Sequence, residues 1–209
     1  MSNIDVSGTR VNATRRRLPV AQRRDEILAA AQRLFGTRRG EDVTVDEIAS
    51  AAGASRALVY RYFGGKRSLY LHALLAAVDE LARAVEPPPG PPLARLSFAV
   101  SGYLDFAERH AHGCVALLRG AGQAAEVAEI VNRTRELIAE LAFEGLGLDR
   151  ACPRPRLVLI AWVAAAEAMT LHWLEHRDLA RDDLAGLLTE NLLAVLSPPD
   201  RAGTPTARA

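Results

Sequence analysis

The sequence predicts an all-α protein, with an N-terminal three-helix unit that contains a helix-turn-helix and a larger helical domain behind it. Three observations carry that prediction. No segment alternates apolar and polar residues long enough to argue for a strand, apolar residues recur at three- and four-residue spacings, and Gly, Pro and capping residues cut those patterns into helix-length pieces. The 209 residues are 49% hydrophobic, ample for a packed core. No internal repeat or βαβ pattern is present.

Residues 1–21 mix Ser, Asn, Thr and Gly with Arg15, Arg16 and Arg17, show no apolar period, and read as a disordered basic arm. From Arg23, the positions Ile27, Ala30, Ala31, Leu34 and Phe35 keep helical spacing until Gly36 and Gly40 end it. Thr44 then opens a short helix, Val45 to Ala51, with Glu47 three residues on as in a capping box. Gly53 breaks that helix, Ser55 caps another through Phe63, and Gly64-Gly65 stops it. A long helix spans Lys66 to Val85. Pro87, Pro88, Pro89, Pro91 and Pro92 cannot continue it and form a stiff connector. Helices follow near Leu93 to His110, Gly113 to Leu118, Ala124 to Leu146, Arg156 to His176 and Asp182 to Leu196, with Pro153 and Pro155 isolating the last two. The expected division is an arm over 1–21, a helix-turn-helix domain over 22–68, a helical ligand-binding and dimerisation domain over 69–196 and a disordered tail over 197–209.

The 26 basic and 25 acidic residues leave a net charge of +1, but the charge is segregated. Through His72 there are 13 basic and 7 acidic residues; the remainder holds 13 and 18. Only Lys66 among the basic residues is Lys, and the Arg and Ala richness reads as compositional bias, so single arginines carry little weight. Cys114 and Cys152 are too few for a disulfide framework and fit a reducing compartment. No apolar run reaches the roughly 18 residues of a membrane span, and no apolar signal core follows the N-terminal arginines. A soluble, cytoplasmic protein without membrane contact is expected.

Within residues 45–63, Ala49, Gly53 and Val59 stand at i, i+4 and i+10. A small residue at Ala49 lets a second helix pass close, Gly53 supplies the turn, and Val59 packs back onto Ile48. That spacing describes a helix-turn-helix, whose second helix lies in the DNA major groove. The plainer alternative is an αα-hairpin with its polar residues in water. Against it stand the basic context and the surface left on the second helix once Leu58 or Val59 and Phe63 are buried: Arg56, Ala57, Tyr60 and Arg61. Lys66 opens the next helix, where exposed amides and its ammonium would share a phosphate.

Residues 23–72, RRDEILAAAQRLFGTRRGEDVTVDEIASAAGASRALVYRYFGGKRSLYLH, resemble the DNA-binding domain of the TetR family of transcriptional regulators. The likeness runs through the amphipathic first helix, the TVDEIA segment, the Gly53-Ala54-Ser55 turn, and Tyr60, Phe63 and Lys66 in order. It implies phosphate contacts by Thr44, Tyr60, Tyr62 and Lys66, base-facing positions at Arg56 and Ala57, and core positions at Val59 and Phe63; Ser55, at the helix start, completes the DNA-binding set. Tyr62 replaces a commoner His, Gly64-Gly65 a Pro-Ser type pair, and Leu58 a frequent Thr or Ser, which exchanges a hydroxyl contact for an apolar one. The Arg15 to Arg17 arm has two readings, insertion into a flanking minor groove or a solvated tail with weak nonspecific attraction.

One such head covers one half-site, so a homodimer on a palindromic double-stranded operator is expected. In the helix from Arg156 to His176, the stripe Val158, Ala161, Ala165, Ala168 and His172 is mostly small, while Trp162, Ala166, Met169 and Trp173 form a bulky one. A helix apolar nearly all round is buried on more than one side. The dimer is placed on the small stripe, with Leu188 and Leu192 of the last helix alongside; the alternative is a purely intrachain core helix. The resemblance implies a four-helix bundle across the dimer axis and a cavity for a small-molecule ligand. Phe98, Tyr103, Phe106, His110, Trp162, Glu167 and Met169 are the residues placed in that cavity, each with an ordinary core role as its alternative. Glu167 has Ile160, Val163, Leu171 and Leu174 around it on the helix, so its carboxylate requires a protein Arg or His, a cationic ligand or a group across the dimer axis.

His110, His112 and Cys114 place no three ligands on one helical face, so no metal is expected there. No phosphate loop, nucleophile or local acid–base pair argues for catalysis, and no cofactor is implied. The reading is a ligand-responsive repressor released by an inducer, with an architectural DNA binder and an enzyme carrying an incidental hairpin as the alternatives.

Overall fold

The computed structural model describes residues 20–119, 124–149 and 151–197; Arg15 to Arg17 and the tail beyond Ser197 lie outside the described residues. The described chain is helical, without strands. The helices are α1 (Val20–Thr37), α2 (Val45–Ala51), α3 (Arg56–Phe63), α4 (Lys66–Val85), α5 (Pro92–Arg109), α6 (Ala111–Arg119), α7 (Ala125–Gly145), α8 (Pro153–His176) and α9 (Arg181–Leu196), with a 3-10 turn at Gly40–Asp42.

Local chemistry sets most boundaries as expected, and four differ. Helix α1 begins at Val20, so Val20 and Ala21 belong to it and not to the arm. Gly36 does not end α1; it is buried inside the last turn, because a neighbouring helix needs the space a side chain would take. Pro92 and Pro153 begin α5 and α8 instead of standing outside them. A proline in the first turn loses no hydrogen bond, since the N–H there has no helical acceptor.

Ile27, Ala31, Val43, Ile48, Val59, Phe63 and Leu69 meet in one cluster that fuses α1, α2, α3 and the start of α4. A second core joins α5, α7, α8 and α9 through Leu104, Phe143, Leu159, Trp162, Trp173, Leu188 and Leu192. Between them, Leu81 and Val85 of α4 pack on Phe106 of α5. Those two helices cross so closely that a Cβ on Gly102 would stand 2.0 Å from the Ala84 carbonyl oxygen, a contact only glycine permits.

Helix α8 departs from one expectation. By length and composition it is apolar enough to cross a membrane, with a mean hydropathy of 1.7 over its most apolar window. Its apolar content serves two faces at once: Leu159, Trp162, Val163, Ala166 and Trp173 are core, while Leu157, Ile160, Ala161, Ala164 and Ala168 are exposed.

Candidate functional site

The turn between α2 and α3 is held by its own sequence. Thr44 Oγ1 accepts from the Glu47 amide at 3.2 Å and the Glu47 carboxylate accepts from the Thr44 amide at 2.8 Å, closing the capping box. Arg38 donates to the same carboxylate at 2.8 Å, and these bonds, with Arg38 contributing most, lower the Glu47 pKa to about 2. Gly53 adopts φ 59°, a left-handed conformation in which a side chain would be strained. Ser55 Oγ accepts from the Leu58 amide at 3.3 Å and caps α3.

That cap sets the rotation of α3. Val59 and Phe63 are buried, and Ser55, Arg56, Ala57, Tyr60 and Arg61 face outward. Tyr62 is half-buried and packs against the head core. Arg56 is held in place before any DNA arrives: its Nη1 pairs with Asp46 at 2.9 Å, and its guanidinium lies 5.5 Å from the Tyr60 ring centroid. Lys66 Nζ donates to the Glu41 carbonyl at 3.0 Å, tying the start of α4 to the 3-10 turn.

Two adjoining chambers lie among the helices of the bundle, one of them reaching the head. The inner one, about 150 Å³, is lined by α4, α5, α6, α7 and Glu167 of α8, and its floor is α1 of the head, Gln32, Phe35 and Gly36, beside Tyr70 of α4. Tyr103, Phe106, His110 and Glu167, all expected at a cavity, line it. The outer chamber, about 330 Å³, lies among α4, α5, α7 and α8, and Trp162 lines it. Leu81, Tyr103, Thr134 and Glu167 belong to both. Glu167 accepts from Arg135 Nε at 2.9 Å and Nη2 at 2.8 Å, so its partner is a protein arginine from α7. Burial raises the Tyr103 phenol well above its ordinary range and pushes the Cys114 thiol up to about 12, so both stay neutral.

Four placements made from sequence need correction. Phe98 is exposed and lines neither chamber, because α5 buries the face of Leu96, Val100 and Leu104, and Phe98 points away from it. Met169 packs against the bundle core, outside both chambers. Leu188 and Leu192 are 1% and 0% exposed within their own chain, so they have no surface left for a partner. The Trp162 indole N–H donates to the Leu188 carbonyl at 3.0 Å, fixing that side of α9 inward. The outward side carries Leu187, Leu193, Ala194 and Val195; on α8, Ala161, Ala168 and His172 are exposed and Val158 and Ala165 half-buried. Sequence reasoning missed Phe35, Gly36, Tyr70, Arg95 and Arg135 as cavity residues; each reaches its chamber by tertiary packing that no local spacing announces.

Head and bundle touch directly at the chamber floor. Gly113 of α6 sits so near α1 that an added Cβ would stand 3.2 Å from the Phe35 carbonyl oxygen. His110 Nε2 lies 3.1 Å from the Glu80 carboxylate, which Arg109 also contacts, and its ring packs on Phe106 with centroids 4.5 Å apart. Farther out, Arg67 at the start of α4 pairs with Glu126 at the start of α7 at 2.7 Å, and lowers the Glu126 pKa.

A capped helix-turn-helix presenting Arg56 and Tyr60, packed against an all-helical bundle, defines a DNA-binding transcriptional regulator. The comparisons with known proteins agree. Residues 27–73 match the family model described as bacterial regulatory proteins, tetR family, and residues 92–195 match the tetracyclin repressor-like C-terminal domain. A crystal structure of a tetR-family transcriptional regulator from Streptomyces coelicolor is 36% identical, superposes with a TM-score of 0.81, and aligns over 86% of this chain and 82% of that one. A TetR-like regulator from Rhodococcus sp. RHA1 is 30% identical with a TM-score of 0.65, over 86% and 98% of the two chains. The chain belongs to the TetR family of transcriptional regulators. It is also similar to the HTH-type transcriptional activator FasR of Mycolicibacterium smegmatis, 29% identical over 168 residues, covering 77% of this chain and 76% of that one. With the regulator BetI of Brucella canis it shares 48% identity over 61 residues, 29% of this chain and 31% of BetI.

Proposed function

We propose that this protein is a ligand-responsive repressor that binds a palindromic operator as a homodimer and leaves it when a small molecule occupies the chambers. The observation that carries the reading is the floor of the inner chamber. Gln32, Phe35 and Gly36 belong to α1 of the head and Tyr70 packs against the head core, so an occupant touches the DNA-reading unit without an intermediary. A ligand shifts the equilibrium by its differential affinity for the two head spacings, typically about 5- to 150-fold in operator affinity. Half-sites one turn apart lie roughly 34–36 Å from each other, so a small swing of α4 moves α3 out of its groove.

Thr44, Tyr60, Tyr62 and Lys66 are the proposed phosphate contacts; Arg56 and Ala57 face bases, and Ser55 caps the helix that carries them. For Arg56 the exchange of Asp46 for a base is inexpensive, because both side chains are mostly exposed and such pairs are worth little in water. The proposed dimer surface is the exposed stripe of α8, Ala161, Ala168 and His172 with Leu157 and Ile160, together with Leu187 of α9. Its apolar area is of the kind that marks an interface. Selection of operator fragments from a random DNA pool, followed by operator binding with and without ligands found by thermal shift, tests the reading. Binding without sequence preference, or ligand occupancy that leaves operator affinity unchanged, would overturn it. An activator reading has one observation in its favour, the name of the FasR relative; transcription in vitro from a template bearing the selected operator separates the two signs.

A further inference from the structure

The two chambers adjoin, sharing Leu81, Tyr103, Thr134 and Glu167 in their walls, and they differ in chemistry, which constrains what fills them. The inner chamber presents a mostly apolar wall, with Gln32, His110, Thr134 and Glu167 as its polar side chains and with Tyr103 and Cys114 neutral. Its volume of about 150 Å³ admits a benzene-sized group. The outer chamber is larger and holds Arg95, Arg135, Glu86, Glu144 and Glu167.

These charges are not equivalent. Arg135 and Glu167 satisfy each other at 2.8–2.9 Å. Glu86 stands exposed at the end of α4, and Glu144 has an interaction of its own. Arg95 differs from all of them. It is half-buried, its Nε is shut off from solvent without a hydrogen-bond partner, its Nη1 reaches the Gly145 carbonyl at 3.3 Å, and no carboxylate among the described residues pairs with it. A partly desolvated guanidinium without a counter-charge gains free energy from any anion that reaches it, and its planar fork suits a carboxylate best.

We infer that the ligand is an elongated amphiphile with one carboxylate end: the carboxylate binds at Arg95, and the apolar body passes Tyr103 and Thr134 into the inner chamber. This rests on the ligand-responsive reading and adds a direction to it. The apolar tip is the part that reaches Phe35 and Gly36, so chain length decides whether the head is touched at all.

The test uses the full-length protein with dodecanoate, dodecanol, dodecyltrimethylammonium and hexanoate, each below its micellar concentration. Binding is read by thermal shift and by the fluorescence of Trp162, which lines the outer chamber. Dodecanoate binds at least tenfold tighter than the alcohol or the cation. Arg95→Met removes that preference without weakening dodecanol, and Arg95→Lys, which keeps the charge, retains part of it. Ala77 of α4 lines the inner chamber, and Ala77→Phe, which narrows it, weakens dodecanoate and spares hexanoate. Equal affinity for the three head groups, preference for the cation, insensitivity to both substitutions, or no binding to the folded wild-type protein overturns the proposal. Operator affinity is a separate readout. Dodecanoate that binds without changing it would retire the ligand-responsive reading and leave the ligand class standing; operator release by an unrelated compound, with dodecanoate not bound, would do the reverse.

Discussion

Gly36 of α1 lies directly against His110 at the end of α5: a Cβ on Gly36 would stand 2.7 Å from the imidazole Nδ1. The ring cannot simply turn aside, because Glu80 holds its other nitrogen and Phe106 packs on its face. Gly36→Ala therefore overpacks the joint between head and sensor and is expected to cost about 1–3 kcal/mol. Trimming the opposing side chain relieves the clash, so Gly36→Ala with His110→Ala is less destabilised than the two single changes added together. Denaturant melts of the four proteins in that cycle measure the coupling. Additive effects would mean that α1 and His110 do not bear on each other.

The Arg38–Glu47–Thr44 cluster predicts an acid limb in the stability of the head. Glu47 is depressed in the folded state to about 2 from an ordinary 4.5, so its contribution is fully present above the unfolded value and is lost as pH falls through the folded one. The loss accordingly runs downward from about pH 4.5 toward 2. Glu47→Gln keeps a side-chain acceptor for the Thr44 amide but removes the charge. Its thermal midpoint should lie below that of the wild type at neutral pH, and the gap should close across that acid range. A gap that persists unchanged would assign the effect to packing.

Neighbouring leucines on α9 separate folding from assembly. Leu187 is 46% exposed and Leu188 is 1% exposed. Leu187→Glu puts a charge on the outward face and should give a folded monomer by sedimentation, with operator affinity lost because the heads are no longer paired. Leu188→Ala empties space beside Trp162 and should cost about 2–5 kcal/mol of stability instead. A Leu187→Glu protein that remains dimeric would move the interface off this face.

Those two leucines also mark where the sequence is legible. The head was readable because its signals are local: Thr44 with Glu47, the turn at Gly53 and the cap at Ser55 each act within a few residues, and the structure keeps all three. Fold class followed from periodicity for the same reason. In the bundle, α8 and α9 are apolar on most sides, so no period distinguishes Leu187 from Leu188; on α5, Phe98 is an apolar residue on the outward face, which its residue type does not announce. Cavity residues were harder still. Phe35 and Gly36 reach the chamber because α1 meets α6, and the Arg135–Glu167 pair spans two helices, contacts that depend on tertiary packing. Tyr103, Phe106, His110, Trp162 and Glu167 were legible as cavity residues, Glu167 most directly, since a carboxylate on an apolar stripe requires a partner.

Lys66 and Arg56 should fail in different ways on DNA. Each phosphate neutralised contributes about 0.9 to the slope of log affinity against log salt concentration. Lys66→Gln removes one such contact from each head, so the slope of a dimer should fall by about two, with similar weakening on every sequence. The lysine also fastens α4 to the Glu41 carbonyl, so circular dichroism of the variant must first show an intact head. Arg56→Ala should instead cost about 1–3 kcal/mol per base contact on the selected operator, with little loss on random DNA, relaxing the preference at one position of each half-site. Asp46→Asn provides the converse. It frees Arg56 from its 2.9 Å partner and removes a negative charge near the DNA-reading face, so affinity should rise on all sequences. Fluorescence anisotropy on operator and scrambled duplexes across a salt series distinguishes these outcomes. An Arg56→Ala protein that discriminates between the two duplexes as well as the wild type would remove Arg56 from base reading and leave it a surface charge held by Asp46 and Tyr60.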